Sequence, residues 1–207
     1  QLVYLLEVNS DMKKRTAFIG AILSLIPLGQ PLIIKTGLVL STTSLIFSLS
    51  ETVHAGDNSY YFNRALEKGK SGDHYGAISD YTKAIEINPS EGAYYNRGIS
   101  KRKLKDHYGA ISDYTKAIEI NPLDDSAYHN RAVSRETLKQ CYKAIADYLR
   151  AIEIRSDRPK SYHGVGNCKS DLGDSNGAIS AYTKAIEINP SYESAYYNRG
   201  LDKSDIK

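Results

Sequence analysis

The chain has 207 residues, of which 41% are hydrophobic and 25% are charged, and this balance is typical of folded domains and excludes intrinsic disorder. The formal net charge is only +3, and cationic and anionic residues alternate along the chain, so there is no basic stripe of the kind that binds phosphate backbones. Nucleic acid is therefore not expected as a partner.

The N-terminal region has the composition of a targeting segment. Met12 is the only methionine, and three cations and then two interrupted apolar runs follow it, so we place the true start at Met12 and residues 1–11 upstream of it. Residues 12–55 are predicted to be a signal peptide or a membrane anchor, with Val53-His54-Ala55 as a cleavage site. The segment is longer than most signal peptides, so an uncleaved anchor, a helical hairpin and buried helices of a soluble domain remain alternatives.

From Asn58 onward the chain repeats itself every 33 or 34 residues. The phrase Gly-Ala-Ile-Ser-Asp-Tyr-Thr-Lys-Ala-Ile-Glu-Ile-Asn-Pro begins at Gly76 and at Gly109, and a near copy begins at Gly177. A unit of this size cannot bury its own apolar face, so neighbouring units must stack into a solenoid. The sequence predicts one domain over residues 56–207, made of units 58–90, 91–124, 125–158 and 159–192 and a partial unit 193–207.

Each unit is predicted to be a pair of antiparallel helices. With the terminal proline taken as position 32, small residues recur at positions 8, 20 and 27, and tyrosines recur at positions 4 and 24. Apolar residues of the second half follow the i, i+3, i+4, i+7 spacing of an amphipathic helix. The asparagines before Pro89, Pro122 and Pro190 are expected in the left-handed conformation common at helix ends. Ser156 replaces the proline of the third unit, and we expect a looser junction there.

This pattern resembles the tetratricopeptide repeat over residues 58–207. The resemblance implies an all-α, right-handed superhelical solenoid of about four and a half units, in which the first helices line a groove that binds peptides or helices of partner proteins. The phrases Tyr-Tyr-Asn-Arg-Gly and Ala-Ile-Glu-Ile-Asn-Pro are similar to bacterial, especially cyanobacterial, members. Together with residues 12–55, this leads us to expect an exported or membrane-anchored protein, in the periplasm or the thylakoid lumen.

Two rows of residues are predicted to line the peptide-binding groove. Asparagine at position 6 can hydrogen-bond with the main chain of an extended peptide, and rings at position 5 can pack over it. Gly164 interrupts the asparagine row, and an alternative is that both rows are repeated surface residues without a ligand. Position 5 never carries the lysine that chaperone-binding members use to clamp a carboxylate, so that role is not expected. The predicted groove residues are Asn63, Asn96, Asn130 and Asn198 together with Phe62, Tyr95, His129, His163 and Tyr197.

Positions 7 and 23 change together along the chain. Position 7 is arginine except in the fourth unit, where it is Val165, and position 23 is aspartate except in the fourth unit, where it is Ala181. We therefore predict ion pairs that join the two helices within each of the first three units. Breaking such a pair is costly if it is buried and has little effect if it is exposed. The predicted pairs are Arg64–Asp80, Arg97–Asp113 and Arg131–Asp147.

No catalytic arrangement is evident in the sequence. There is no nucleophile with a base, no glycine-rich phosphate loop and no metal-ligand spacing, so no catalytic residue, cofactor or metal is predicted. His74 and His107 are interpreted as polar residues at helix starts, and Cys141 and Cys168 as independent thiols in preference to a disulfide. The expected function is a non-catalytic scaffold that binds a protein or peptide. Alternatives are the recognition arm of a larger enzyme, such as a transferase with its catalytic domain beyond Lys207, and self-association through the C-terminal half-unit.

Overall fold

The computed structural model describes residues 56–206 and the backbone of residues 32–33 and 39–40. The predicted start at Met12 and the predicted signal or anchor segment lie outside the described residues, apart from two short strands. The chain divides into two regions, Gln1–Tyr60 and Tyr61–Lys207. In the N-terminal region, β1 (Leu32–Ile33) and β2 (Val39–Leu40) pair antiparallel, with Leu32 opposite Leu40.

Nine helices follow one another through residues 56–206. From α2 to α9, each helix packs against the next one in sequence, and consecutive pairs correspond to the predicted units. The prediction of an all-α repeat solenoid is thereby confirmed. None of the helices within the described range is long and apolar enough to cross a membrane. The helices are α1 (Asn58–Lys70), α2 (His74–Ile87), α3 (Glu91–Lys103), α4 (His107–Ile120), α5 (Asp125–Thr137), α6 (Cys141–Ile154), α7 (Pro159–Asp171), α8 (Ser175–Ile188) and α9 (Glu193–Asp205).

The core consists of tyrosine rings packed against small residues on the neighbouring helix. Tyr114 and Tyr182, at position 24, are at most 1% exposed. A Cβ atom at Gly98 would lie 2.8 Å from Cε1 of Tyr114, and one at Gly166 would overlap the ring of Tyr182. Position 8 is small because the ring occupies the space that a larger side chain would need.

Three of the four second helices begin at aspartate caps, and the exception is α6, which Gln140 precedes without a side-chain cap. Asp73 Oδ1 accepts a hydrogen bond from the backbone N–H of Gly76 at 2.9 Å, and Asp106 and Asp174 cap α4 and α8 in the same way. His74 and His107 are the first residues of α2 and α4. This arrangement satisfies backbone donors that have no partner within the helix.

The left-handed conformation expected at the asparagines is wrong. Asn88, Asn121 and Asn189 end their helices in extended backbone, with φ of −151°, −128° and −129°. Each precedes a proline, whose Cδ clashes with a helical conformation of the residue before it. Positive φ occurs instead at position 15, in the turn inside each unit, at Gly72, Lys105, Lys139 and Gly173.

The third junction is not looser than the others. Pro159 occupies the start of α7, where its missing N–H costs no helical hydrogen bond. Arg155 and Arg158 lie 2.9 and 2.7 Å from the same carboxylate oxygen of Asp125, the first residue of α5. Ion pairs within the third unit, from Asp125 to Arg155 and Arg158, therefore stand where the other units have a proline.

Candidate functional site

Each of the first three units holds an arginine against an aspartate between its two helices. Arg64 donates from Nε and Nη2 to the two carboxylate oxygens of Asp80, at 2.7 and 2.6 Å. Such two-point contacts are among the stronger hydrogen bonds in proteins. The structure brings together all three predicted pairs, because the same contact recurs at 2.7 to 2.9 Å in Arg97–Asp113 and Arg131–Asp147.

A second cation, at position 11, binds the same aspartate. Lys68 Nζ lies 2.8 Å from Asp80 Oδ2. Burial by itself would raise the pKa of Asp80, but the hydrogen bonds and charges of Arg64 and Lys68 outweigh it and hold that pKa below its ordinary value. Sequence reasoning missed this contact, although position 11 is lysine or arginine in every unit. The equivalent contacts are Lys101–Asp113 at 2.8 Å and Arg135–Asp147 at 2.6 Å.

The arginine at position 7 also reaches back to the preceding unit. Arg97 Nη1 donates to Thr82 Oγ1 at 3.0 Å, and Arg131 Nη1 donates to Thr115 Oγ1 at the same distance. Each guanidinium also lies over the tyrosine at position 4 of its own helix, 5.3 to 5.6 Å from the ring centroid. One side chain therefore links two helices of its own unit to the previous unit.

The fourth unit replaces this polar set with apolar residues. Val165 and Ala181 stand where the arginine and aspartate would be, and they lie in one apolar cluster at 5% and 8% exposure. Leu149 stands where the preceding unit would carry the threonine. Val165 and Ala181 change together because a remaining arginine or aspartate would be a buried charge without its partner.

The predicted ring row is present, but its rings already pack against the core. In each complete unit the position-5 ring lies 5.4 to 5.9 Å, centroid to centroid, from the buried tyrosine at position 24. In the partial unit, Tyr197 is 69% exposed. The ring pairs are Phe62–Tyr81, Tyr95–Tyr114, His129–Tyr148 and His163–Tyr182.

The asparagine row is partly engaged within the chain. Asn63 is exposed. Asn96 Nδ2 donates to the carbonyl of Gly92 at 2.8 Å, and Asn130 Nδ2 donates to the hydroxyl of Tyr95 at 2.9 Å. A peptide lying along these residues would therefore meet the carboxamide oxygen of Asn130, which can accept a hydrogen bond from a peptide N–H.

Asn198 belongs to a polar network at the C-terminal end of the row. Its Nδ2 donates to Asn167 Oδ1 at 3.0 Å and lies 3.1 Å from Nε2 of His163. Asn167 Oδ1 also accepts from the hydroxyl of Tyr182, and Asn167 Nδ2 donates to Glu136, both at 3.0 Å. The amide nitrogen of Asn198 therefore serves to connect the fourth and fifth units.

The gap in the asparagine row at Gly164 has a steric cause. The hydroxyl of Tyr148 donates to Glu136 at 2.5 Å, and this holds the ring over Gly164. A Cβ atom there would overlap the ring. No asparagine fits at this position while Tyr148 bonds to Glu136.

A cavity of about 520 Å³ lies among residues of the second, third and fourth units. Three predicted groove residues line it, namely Tyr95, His129 and Asn130. Sequence reasoning did not identify the other lining residues. Most of them lie next to Arg155-Ser156, which replaces the Asn-Pro of the other units, and this replacement was the signal that could have found them. These other residues are Ser126, Arg155, Asp157, Arg158, Pro159 and Lys160.

Several cationic side chains act on His129 at the cavity. Burial, followed by the charges of Arg158 and Lys160 and two further arginines, lowers the pKa of His129 to about 4. His129 is therefore neutral near pH 7. Arg155 and Arg158 both bind Asp125, Arg155 also lies 3.9 Å from Asp157, and Lys160 is exposed. An acidic group on a ligand would be stabilised at this place.

The remaining candidate chemistry is limited. Cys141 and Cys168 are free and buried in one core cluster. Burial, together with the neighbouring Cys141, raises the pKa of Cys168, so its thiol stays protonated and weakly nucleophilic. Within residues 56–206, no group of three or more His, Cys, Asp or Glu side chains is placed to hold a metal ion.

Comparison with known proteins relates this arrangement to a repeat family. Models of the tetratricopeptide repeat match residues 59–91, 92–123 and 125–158, and a model described as TPR repeat matches residues 166–201. The chain matches none of the curated proteins.

Several solved structures share the fold. The crystal structure of the MamA protein has 24% identity and a TM-score of 0.69, over 75% of this chain and 82% of that one. YrrB, described as a TPR protein with an unusual peptide-binding site, has 21% identity and a TM-score of 0.66, over 76% and 82%. The first TPR of Spaghetti (RPAP3), bound to the HSP90 peptide SRMEEVD, has 23% identity and a TM-score of 0.55, over 57% and 95%.

The matched stretches together cover well over half of the chain, and each complete unit of the solenoid falls largely within one of them. At these identities the solved structures support the fold alone. Stacked helix pairs, with tyrosine rings packed against small residues, agree with that fold in each complete unit. The chain belongs to the tetratricopeptide repeat family.

Proposed function

We propose that this protein is a non-catalytic interaction scaffold that binds an extended segment of a partner protein in the groove of its solenoid. The binding segment lies across the cavity between the second and fourth units. Asn130 contributes its carboxamide oxygen to the peptide main chain, the Tyr95 hydroxyl contributes a second polar contact, and Lys160 provides an exposed positive charge.

The observation that carries this proposal is the position of the cavity. Tyr95, His129 and Asn130 were selected from repeat position alone, and all three line the same space of about 520 Å³. Cavities with a few convergent polar groups are the usual sites of ligand binding. Main-chain hydrogen bonds give affinity with little demand on the partner's sequence.

Two proteins with this fold give further support. YrrB is described as having a peptide-binding site, and the first TPR of RPAP3 was solved with a bound peptide. Peptide recognition is therefore compatible with the fold, and the cavity is the place that we propose for it in this chain.

Selection from a library of displayed 12-residue peptides against the full chain tests the proposal. Selected peptides are then titrated against the wild type and against an Asn130→Ala/Lys160→Ala variant. We expect the variant to bind at least about 10-fold more weakly, because it lacks a main-chain acceptor and a charge at the cavity.

The matched control is Asn176→Ala/Lys143→Ala, which removes the same residue types at exposed positions away from the cavity. Circular dichroism melting curves show whether each variant keeps its fold. Equal binding by all three proteins, or no selected peptide above the bare-matrix background, would refute the proposal.

A further inference from the structure

The buried tyrosines at position 24 carry hydroxyl groups that need a hydrogen-bond partner, and two units supply it from their first helix. In the third unit, Tyr148 donates to the carboxylate of Glu136, which occupies position 12. In the fourth unit, Tyr182 donates to Asn167 Oδ1, at position 9, at 3.0 Å. Positions 5, 9 and 12 share one face of a helix, so both acceptors lie on the face that carries the predicted ring row.

The second unit lacks an acceptor at this place. Tyr114 is fully buried, yet among residues 56–206 its hydroxyl has no hydrogen-bond partner. Position 12 is Arg102, whose Nε is also buried and has no partner in the same part of the chain. A guanidinium donates hydrogen bonds and accepts none. Buried donors without an acceptor cost free energy, so an acceptor brought by a ligand is favoured here.

Arg102 lies close both to this hydroxyl and to the cavity of the proposed function. Burial raises the pKa of Tyr114 to about 12, and the next largest effect, in the opposite direction, is that of Arg102. After burial and two other cations, Arg102 also contributes to the low pKa of His129, which lines the cavity. The ring of Tyr95, a second lining residue, lies 5.9 Å from the ring of Tyr114. A segment bound at the cavity can therefore reach Arg102 with a side chain.

Position 12 changes the sign of its charge between the second and the third unit. Arg102 is partly exposed, and no carboxylate pairs with it in the part of the chain that the structure describes. Glu136 is partly exposed as well, and its two hydrogen bonds come from the uncharged donors of Tyr148 and Asn167. The second unit therefore offers a cation to a ligand, and the third unit offers an anion, which opposes a second acid at the next unit.

We propose that Arg102 and Tyr114 form a subsite for one aspartate or glutamate side chain of the segment that the groove binds. The carboxylate pairs with the Arg102 guanidinium and accepts a hydrogen bond from the Tyr114 hydroxyl, as Glu136 does from Tyr148 in the third unit. Because that hydroxyl is buried, the Arg102 side chain shifts to let the carboxylate reach it. The subsite rests on the proposed function, because the carboxylate belongs to the same bound segment.

Two libraries of displayed 12-residue peptides test the subsite. One library has glutamate fixed at its sixth residue, the other has glutamine there, and the remaining residues are random but exclude aspartate and glutamate. Selection against the full chain should enrich the glutamate library at least about 10-fold over the glutamine library. Fluorescence anisotropy then compares each selected peptide, amidated at its C-terminus, with its glutamine counterpart, which should bind at least about 10-fold more weakly.

Variants of the full chain locate the carboxylate. Arg102→Gln removes the charge and Tyr114→Phe removes only the hydroxyl, and each should reduce the preference for glutamate over glutamine. Arg102→Glu supplies a carboxylate from the chain itself, as in the third unit, and should abolish that preference. Arg150→Gln is the control for loss of an arginine that does not line the cavity, and it should keep the wild-type preference. Melting curves identify any variant that fails to fold.

Equal binding of the glutamate and glutamine peptides to the wild type overturns the subsite. If both peptides are still weakened by Asn130→Ala/Lys160→Ala, the proposed function stands without it. A preference for glutamate that is lost in Lys160→Gln and kept in Arg102→Gln would place the acid elsewhere in the cavity and has the same consequence. Failure of both libraries also overturns the subsite, and the unrestricted peptide library shows whether the proposed function fails with it.

Discussion

Asp113 illustrates at the scale of one residue how the units are held together. It is 2% exposed and is bound by Arg97 and by Lys101, whose side chains keep 15% and 20% exposure. Removal of the aspartate leaves two cations facing each other, whereas removal of the arginine leaves the aspartate with the lysine. The two deletions should therefore have unequal effects.

Asp113→Ala is expected to lower the free energy of unfolding by about 3–5 kcal/mol, because it leaves two partly buried cations without an acidic partner. Arg97→Ala should cost about 1–3 kcal/mol, since one charged hydrogen-bond partner remains. Urea unfolding followed by circular dichroism measures both values. Equal losses would contradict the asymmetry.

The fourth unit provides the control for this prediction. Thr82→Leu/Arg97→Val/Asp113→Ala reproduces its apolar set in the second unit. Because apolar replacement of a whole buried ion pair is often neutral, this triple variant should recover most of the stability that Asp113→Ala loses. A triple variant no more stable than Asp113→Ala would show that the fourth unit depends on other contacts.

His129 gives the protein a specific dependence on pH. Its folded pKa of about 4 lies below the ordinary value of 6.5, so the unfolded chain binds more protons between these values. The contribution of His129 to the free energy of unfolding is therefore fully present above pH 6.5 and is lost as the pH falls towards 4. The shift corresponds to roughly 3 kcal/mol.

His129→Gln should flatten that part of the stability profile, because glutamine does not titrate. Melting temperatures of wild type and variant, measured from pH 4 to pH 8, test this. His107→Gln, at the start of α4, is the matched control. The prediction fails if the wild type and His129→Gln lose stability in parallel below pH 6.5.

At the scale of elements, the third junction shows how two helices can be joined without the usual proline. Helix α7 begins at Pro159 without a side-chain cap, and Asp125 at the start of α5 binds Arg155 and Arg158. The arginines also contribute to the cavity wall. One carboxylate therefore both holds the junction and positions the charges of the site.

Asp125→Asn is expected to raise amide hydrogen exchange in residues 155–162 and to cost about 1–3 kcal/mol, because both arginines lose a charged partner. Asp157→Asn is the control, since Asp157 is 80% exposed and lies 3.9 Å from Arg155. Unchanged exchange at the junction in Asp125→Asn would show that packing of Pro159 alone maintains it.

Much of the architecture at this scale could be predicted from the sequence. Helix pairs, their order and the pairs at positions 7 and 23 follow from recurrence, because each local contact is copied with the unit. The conformation of Asn88 was predicted wrongly because the steric effect of Pro89 on the preceding residue overrides the preference of asparagine. The position-11 cations were visible as a pattern, but only the folded geometry shows that they share an aspartate with position 7.

At the scale of the whole molecule, the solenoid makes stability a property of neighbouring units. From α2 onward each helix packs chiefly on the helices next to it in sequence. A disturbance should therefore stay close to its origin.

Asp80→Ala is expected to raise hydrogen exchange throughout α1 and α2 while α7 to α9 keep their protection. Asp147→Ala in the third unit should also affect the second unit, because Arg131 contacts Thr115 there. Hydrogen exchange with mass spectrometry compares the two. Loss of protection along the entire solenoid in Asp80→Ala would indicate a single cooperative unit.

The sequence by itself determined the repeat length, the helix pairs, the family and the residues that face each other within a unit, because these depend on contacts that recur at a fixed spacing. The tertiary structure decided which predicted groove residues are already engaged within the chain, and it brought Tyr95, Asn130 and Lys160 to one cavity. Those residues belong to three different units, so their meeting depends on how the units stack.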